Sequence, residues 1–148
     1  MLALHIATIV CIGLMIGVEL AVSAFINPLL WRLGHSAQVE IIGMFAARLG
    51  FVMPFWYALG LLLLLAETFV LRHQPHAILL WASIGIWALV IVLTLLFLVP
   101  INNRLARLDR VTPAEKALGD HHRWDALHRV RVLALAAAMV LFLAAILN

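Results

Sequence analysis

Four apolar runs, each about as long as a bilayer is thick, decide what this chain can fold into. A helix needs roughly 20 mostly apolar residues to cross the hydrocarbon core. The sequence supplies them at about residues 2–30, 41–70, 77–99 and 121–147. The rest of the composition agrees. Of 148 residues 66% are hydrophobic and 11% charged, against about 25% charged in an ordinary soluble domain. Mean hydropathy is +1.13. A soluble domain of this length cannot hide so much apolar surface, so the solvent is partly lipid. The expected fold is all-α, a transmembrane four-helix bundle forming a single domain over residues 1–148.

The formal net charge of +3 and a pI near 10.0 would hint at nucleic acid in a soluble protein. Here the basic residues flank apolar runs, so they read as membrane orientation signals, and no nucleic-acid partner is expected. Cys11 is the only cysteine, which excludes an intrachain disulfide and a cysteine-cluster metal site. The first run lacks a basic leader and a small-residue cleavage site, so it is expected to be a retained helix.

The connections differ. "WRLGHSAQVE" is short and polar, and "RHQPH" is a tight turn at Pro75. Residues 101–120 form the longest link, in which "TPAE" at 112–115 has the pattern of a helix start and predicts a short interfacial helix ending at Gly119. The first and third links and their flanks carry Arg32, Arg104, Arg107, Arg110, Lys116 and Arg123, whereas the second holds Arg72 alone. Positive charge favours the cytoplasmic side. Both termini are therefore expected on the non-cytoplasmic side of the plasma (inner) membrane, with Trp31 and Trp81 as interfacial anchors.

Charges at bilayer depth are costly and usually face the bundle interior. Glu19 lies about 15 Å, at 1.5 Å per residue, from the loop end of the first helix. Ser23 and Asn27 follow at i+4 steps, so the three make one polar stripe. The alternative to a functional Glu19 is a protonated or purely structural carboxylate. Arg48 precedes 18 uncharged residues, 49–66, so it either pairs with Glu19 in the interior or snorkels to the interface. Pro54 is expected to kink the second helix. Glu67 and His5 read as residues of the outer end. "VPINNRL" closes the third run, with Asn102 and Asn103 able to bond back into the bundle or simply stop the helix.

The fourth run is the most informative. Residues 132–147 number only 16, too few to span, so the helix must recruit the turn before them. That draws His128 and Arg131 inward. Trp124, His128 and Arg131 are spaced i, i+4, i+7 and share a face, while Asp125 and Arg129 are expected to form a solvated collar. Glu19, Asn27, Arg48, Asn102 or Asn103, Trp124, His128 and Arg131 thus converge from all four helices on the cytoplasmic half. A carboxylate, an imidazole, guanidinium groups and an indole suit a planar, partly anionic ligand. His121, Asp125 and His128 have metal-ligand spacing on one helix, which keeps a metal ion open as an alternative.

Three segments, "GVELAVSAFINPLLWRL", "LVPINNRLARL" and "WDALHRVR", resemble in order the motifs of the domain-of-unknown-function 1772 group, which includes anthrone oxygenase-like membrane proteins. Pro28, Pro100, Asn102, Trp124, His128 and Arg131 stand at the matching positions. The resemblance implies a small membrane oxygenase that oxidises a hydrophobic aromatic, anthrone- or quinone-like molecule with O2, without flavin or haem. It implies proton removal by His128 or Glu19, with Arg131 holding the oxyanion. Trp124, Asn102, Asn103, Asn27 and Arg48 are expected to bind substrate. Other readings are a non-catalytic membrane binding or assembly protein whose polar cluster fixes packing, a metal-binding membrane protein, and, on weaker grounds, a transporter.

Overall fold

In lipid the backbone must bond to itself, which leaves helices as the economical way across. The computed structural model describes residues 1–107 and 114–147, and these fold into four long helices: α1 (Leu2–Leu30), α2 (His35–Leu71), α3 (Ala77–Leu105) and α4 (Ala114–Leu147). Each is long and apolar enough to cross a membrane. Large apolar side chains such as Phe51, Phe55, Phe69 and Leu133 stand exposed, as expected where the surrounding solvent is hydrocarbon.

Three boundaries differ from the sequence expectation. α2 begins at His35, because Gly34 is extended and caps it and no helix breaker intervenes until well inside the apolar run. α3 passes through Pro100 to Leu105. A proline inside a helix loses one hydrogen bond and clashes with the carbonyl four residues back. For Pro100 that carbonyl belongs to Leu96, inside a π-helical turn at Thr94–Leu98, whose wider winding absorbs both faults. α1 repeats the device, with a π-helical turn at Val22–Ile26 before Pro28. Finally, the predicted short helix ending at Gly119 is not separate, since α4 runs unbroken from Ala114. Gly119 does not take a positive φ that would stop it. Asp109, Arg110, Thr112 and Pro113 of that link lie outside the described residues.

Consecutive helices are antiparallel neighbours, and a side-chain bond to a backbone carbonyl joins each pair around the bundle. Trp56 Nε1 donates to Cys11 O at 3.1 Å (α2 to α1), and Trp87 Nε1 to Tyr57 O at 3.1 Å (α3 to α2). Ser83 Oγ donates to Ala138 O at 2.9 Å (α3 to α4), and His128 Nε2 lies 3.0 Å from Glu19 O (α4 to α1). Such bonds take over part of the role that hydrophobic burial has in water.

Two apolar cores result. One, at the end bearing the termini, is built on Ile12, Met15, Leu64, Trp87, Leu135 and Phe142. The other, at the opposite end, holds Leu30, Ile42, Ala46, Ile101 and Leu105. Glu67, expected at an interface, is instead buried beside the first core. It accepts a bond from Thr8 Oγ1 at 3.0 Å and faces His5 Nδ1 at 2.8 Å. Its position three residues after the buried Leu64 puts it on the inward face of α2.

At Gly60 a Cβ would fall 2.5 Å from the Trp87 ring, so α2 and α3 approach there only because the side chain is absent. Gly60→Val should lower the thermal midpoint in detergent, by about 1–3 kcal/mol of stability. Gly17→Val, where a Cβ meets nothing within 4 Å, should leave the midpoint unchanged.

Candidate active site

Between the two cores lies a cavity of about 340 Å³ to which all four helices contribute. Its polar wall comes from Glu19, Tyr57, Asn102, Trp124, His128 and Arg131, and the remainder is mostly apolar. The short apolar run of α4 does draw Arg131 and His128 inward: His128 is 1% exposed. The shared face is also real, since the Trp124 and His128 rings stack with centroids 4.6 Å apart and planes 11° from parallel.

Glu19 is the hub. Its Oε1 accepts the Tyr57 hydroxyl at 2.9 Å, and its Oε2 accepts Arg131 Nη2 at 2.6 Å. His128 Nδ1 lies 3.1 Å from the same Oε2 and 2.8 Å from Arg131 Nη2. The other ring nitrogen, Nε2, faces the Glu19 carbonyl, which only accepts, so Nε2 carries a proton. Nδ1 is therefore the atom free to gain or lose one. Neutral, it accepts from Arg131; protonated, it donates to Glu19.

The cation beside Glu19 is thus Arg131 and not Arg48. Arg48 is exposed and outside the cavity, so it does not make the interior pair. It stands nine residues before Tyr57, two and a half helical turns, and so points from the opposite side of α2. The two asparagines also divide. Asn102 lines the cavity and donates to Ala46 O at 2.8 Å, while Asn103 is exposed and takes no part. Asn27 is buried one layer away, donating to Asp125 Oδ1. Asp125 is consequently not a solvated collar residue. It is 6% exposed, because it precedes His128 by three positions and so lies near the inward face. Arg129, which pairs with it at 2.8 Å, is the exposed member.

His121, Asp125 and His128 do not converge. His121 stacks on Trp31 with centroids 4.6 Å apart, Asp125 binds Asn27 and Arg129, and His128 turns to Glu19. Among the described residues no three His, Cys, Asp or Glu side chains gather as a metal site would require.

The sequence model of the anthrone oxygenase family matches residues 42–141, about two thirds of the chain. The chain belongs to the anthrone oxygenase family. The matched span includes Tyr57, Asn102, Trp124, His128 and Arg131, whereas Glu19 and Asn27 lie upstream of it. Compared with curated proteins and with solved structures, the chain matches none.

For this family member, sequence reasoning missed Tyr57, Thr94 and the role of Trp31. Tyr57 is the only tyrosine of the chain, and a hydroxyl at that depth needs a partner, which is the signal that could have found it. Thr94 lies in the cavity wall, its Oγ1 without a hydrogen-bond partner. Trp31, expected as a lipid anchor, is half-buried and also stacks on His122 at 3.9 Å.

Removing one member of a buried ion pair leaves the other charge uncompensated, at about 3–5 kcal/mol. Arg131→Gln should destabilise the bundle by that order in detergent unfolding. Adding Glu19→Gln to it should recover most of the loss, because the orphaned carboxylate is then gone.

Proposed function

We propose that this chain is a membrane oxygenase that oxidises a hydrophobic aromatic substrate, anthrone- or quinone-like, with O2. The observation that carries the reading is a largely apolar cavity lined by the stacked Trp124 and His128 rings, with the Arg131 guanidinium beside them. Its size lies in the range of small-molecule sites, about 300–1,000 Å³. A planar apolar ring system suits a cavity of this lining, and Arg131 offers charge where an oxyanion develops.

In the proposed reaction an activated methylene, flanked by aromatic rings and conjugated to a ketone, loses a proton to His128 Nδ1. Arg131 first turns from Nδ1 toward the substrate ketone oxygen, which uncovers the nitrogen lone pair, and that oxygen becomes the enolate oxygen as the proton leaves. The new Nδ1–H faces Glu19 Oε2 and is stabilised there. Tyr57 holds the carboxylate from its other oxygen. The carbanion then reacts with O2. Both C–H bonds of the methylene break, one oxygen atom becomes the new ketone, and the other leaves as water. The methylene supplies all the electrons that O2 takes up, so no external reductant is required and the reading calls for no resident cofactor. On this reading, with positive charge favouring the cytoplasmic side, the basic links at the Trp31 end support a site in the cytoplasmic half of a plasma-membrane bundle with both termini outside.

The test is O2 consumption with an anthrone in detergent micelles. His128→Ala should lower kcat by about 10²–10⁴-fold, the usual worth of a general base, and Arg131→Ala should lower it as well. Trp124→Ala should raise KM more than it lowers kcat. Equal rates in the wild type, His128→Ala and Arg131→Ala would sink the assignment.

A further inference from the structure

The geometry points to a lateral window between α2 and α3, through which the cavity exchanges an uncharged planar aromatic with the bilayer itself. The inference rests on the proposed function only for the chemistry of that molecule. The opening arises from how the two helices are fastened.

α2 and α3 are clamped twice. Toward the termini, Trp87 Nε1 donates to Tyr57 O and its ring covers Gly60. Toward the other end, Asn102 Nδ2 donates to Ala46 O, and Gly43 lies 3.4 Å, measured from a Cβ position, from Leu105 O. Between the clamps α3 runs from Trp87 to Asn102, an advance of 15 residues, while α2 runs from Ala46 to Tyr57, an advance of 11. α3 thus spends four more residues than α2 between the clamps. The reach of the clamping side chains and the π-helical turn Thr94–Leu98 take up the excess, and Pro54 removes a backbone donor from α2 along the same stretch.

Exposure shows where the two helices part. Leu95 lines the cavity and is nevertheless 59% exposed. Across the gap Pro54 and Ala58 both line the cavity and are exposed. Side chains that face inside and outside together form a rim. Outside the rim lies hydrocarbon, since Phe51 and Phe55 on either side of Pro54 project outward at 67% and 69% exposure. Of the exposed lining residues, Gly50, Pro54, Ala58 and Leu95 lie on α2 and α3, and Val18 alone, at 37%, lies on α1, while the two ends of the bundle are closed. The first core closes one end with Trp87 and Phe142. The second core and the Trp31–His121–Trp124 stack close the other. Only short side chains stand on the α2 rim, and the bilayer is where an apolar aromatic is concentrated.

The test uses the full chain in phosphatidylcholine vesicles and a small uncharged aryl diazirine dissolved in the lipid. Photolysis and peptide mapping should find label on Tyr57 and Leu98, each 5% exposed and lining the cavity, as well as on the outward Phe51 and Phe55. A charged aryl diazirine added to the water should leave Tyr57 and Leu98 unlabelled. Ala58→Trp, or Leu95→Trp from the opposite rim should the first fail to fold, should abolish labelling of Tyr57 and Leu98 while Phe51 and Phe55 stay labelled. Three results overturn the window: no interior label in the wild type, interior label at wild-type level in every folded plug variant, or equal interior labelling by the charged probe. Interior label without anthrone oxidation would keep the window and remove the proposed reaction; oxidation without interior label would do the reverse.

Discussion

One carboxylate at bilayer depth organises the bundle. Burying Glu19 away from water costs several kcal/mol unless its charge and lone pairs are met. α1 itself supplies no cation to meet it. Tyr57 comes from α2, and Arg131 with His128 comes from α4. Satisfying all of them at once sets the rotation and height of three helices relative to one another. α3 contributes nothing to this network, and its own bonds to α2 and α4 lie above and below. The space left beside the network, on the α3 side, is the cavity. Polar satisfaction and the void are therefore two consequences of the same arrangement: the helix not recruited to the carboxylate is the one that can stand away from it.

The prolines act in the same region by a different route. Pro28 and Pro100 each come after a π-helical turn, Val22–Ile26 and Thr94–Leu98. An extra residue in one turn rotates the helix beyond it relative to the helix before it. On α1 this rotation lies between Glu19, which faces the cavity, and Asn27, which faces Asp125. On α3 it lies between Trp87, which packs into the core, and Asn102, which clamps α2. A proline that would merely stop a soluble helix here lets one helix address two different layers.

Much of this is readable in the residues. Length and hydropathy alone give the spans, and an apolar run too short to cross turns His128 and Arg131 inward. Glu19 stands out because no charged neighbour in the sequence excuses it. Pairing and facing are where the residues mislead. Glu19–Arg48 is plausible by depth, but depth ignores rotation, and Arg48 is half a turn out of phase with Tyr57. Asp125 points to water through its i+4 partner Arg129, yet the same side chain reaches inward to Asn27. Tyr57 escapes notice because a tyrosine in an apolar run reads as hydrophobic bulk until its hydroxyl needs an acceptor. The cavity itself has no sequence signal, since it depends on α3 standing away from the network between its bonds to α2.

The network also bears on how an apolar site can host anionic chemistry. Creating charge in a low-dielectric interior is expensive, so a reaction that forms an enolate there needs a route that does not add buried charge. In the resting arrangement Arg131 is paired with Glu19. On the proposed mechanism His128 Nδ1 takes the substrate proton and faces Glu19 Oε2 at 3.1 Å, close enough to hand it on. Once Glu19 holds the proton, the carboxylate no longer competes for Arg131, which pairs with the enolate oxygen it already faces. The buried cation is the same throughout, and only its anion has changed from the protein's to the substrate's. His128, with Nε2 committed to the Glu19 carbonyl, can serve that exchange through one nitrogen alone. The carboxylate that holds the helices together is then also the reservoir that keeps the chemistry charge-neutral.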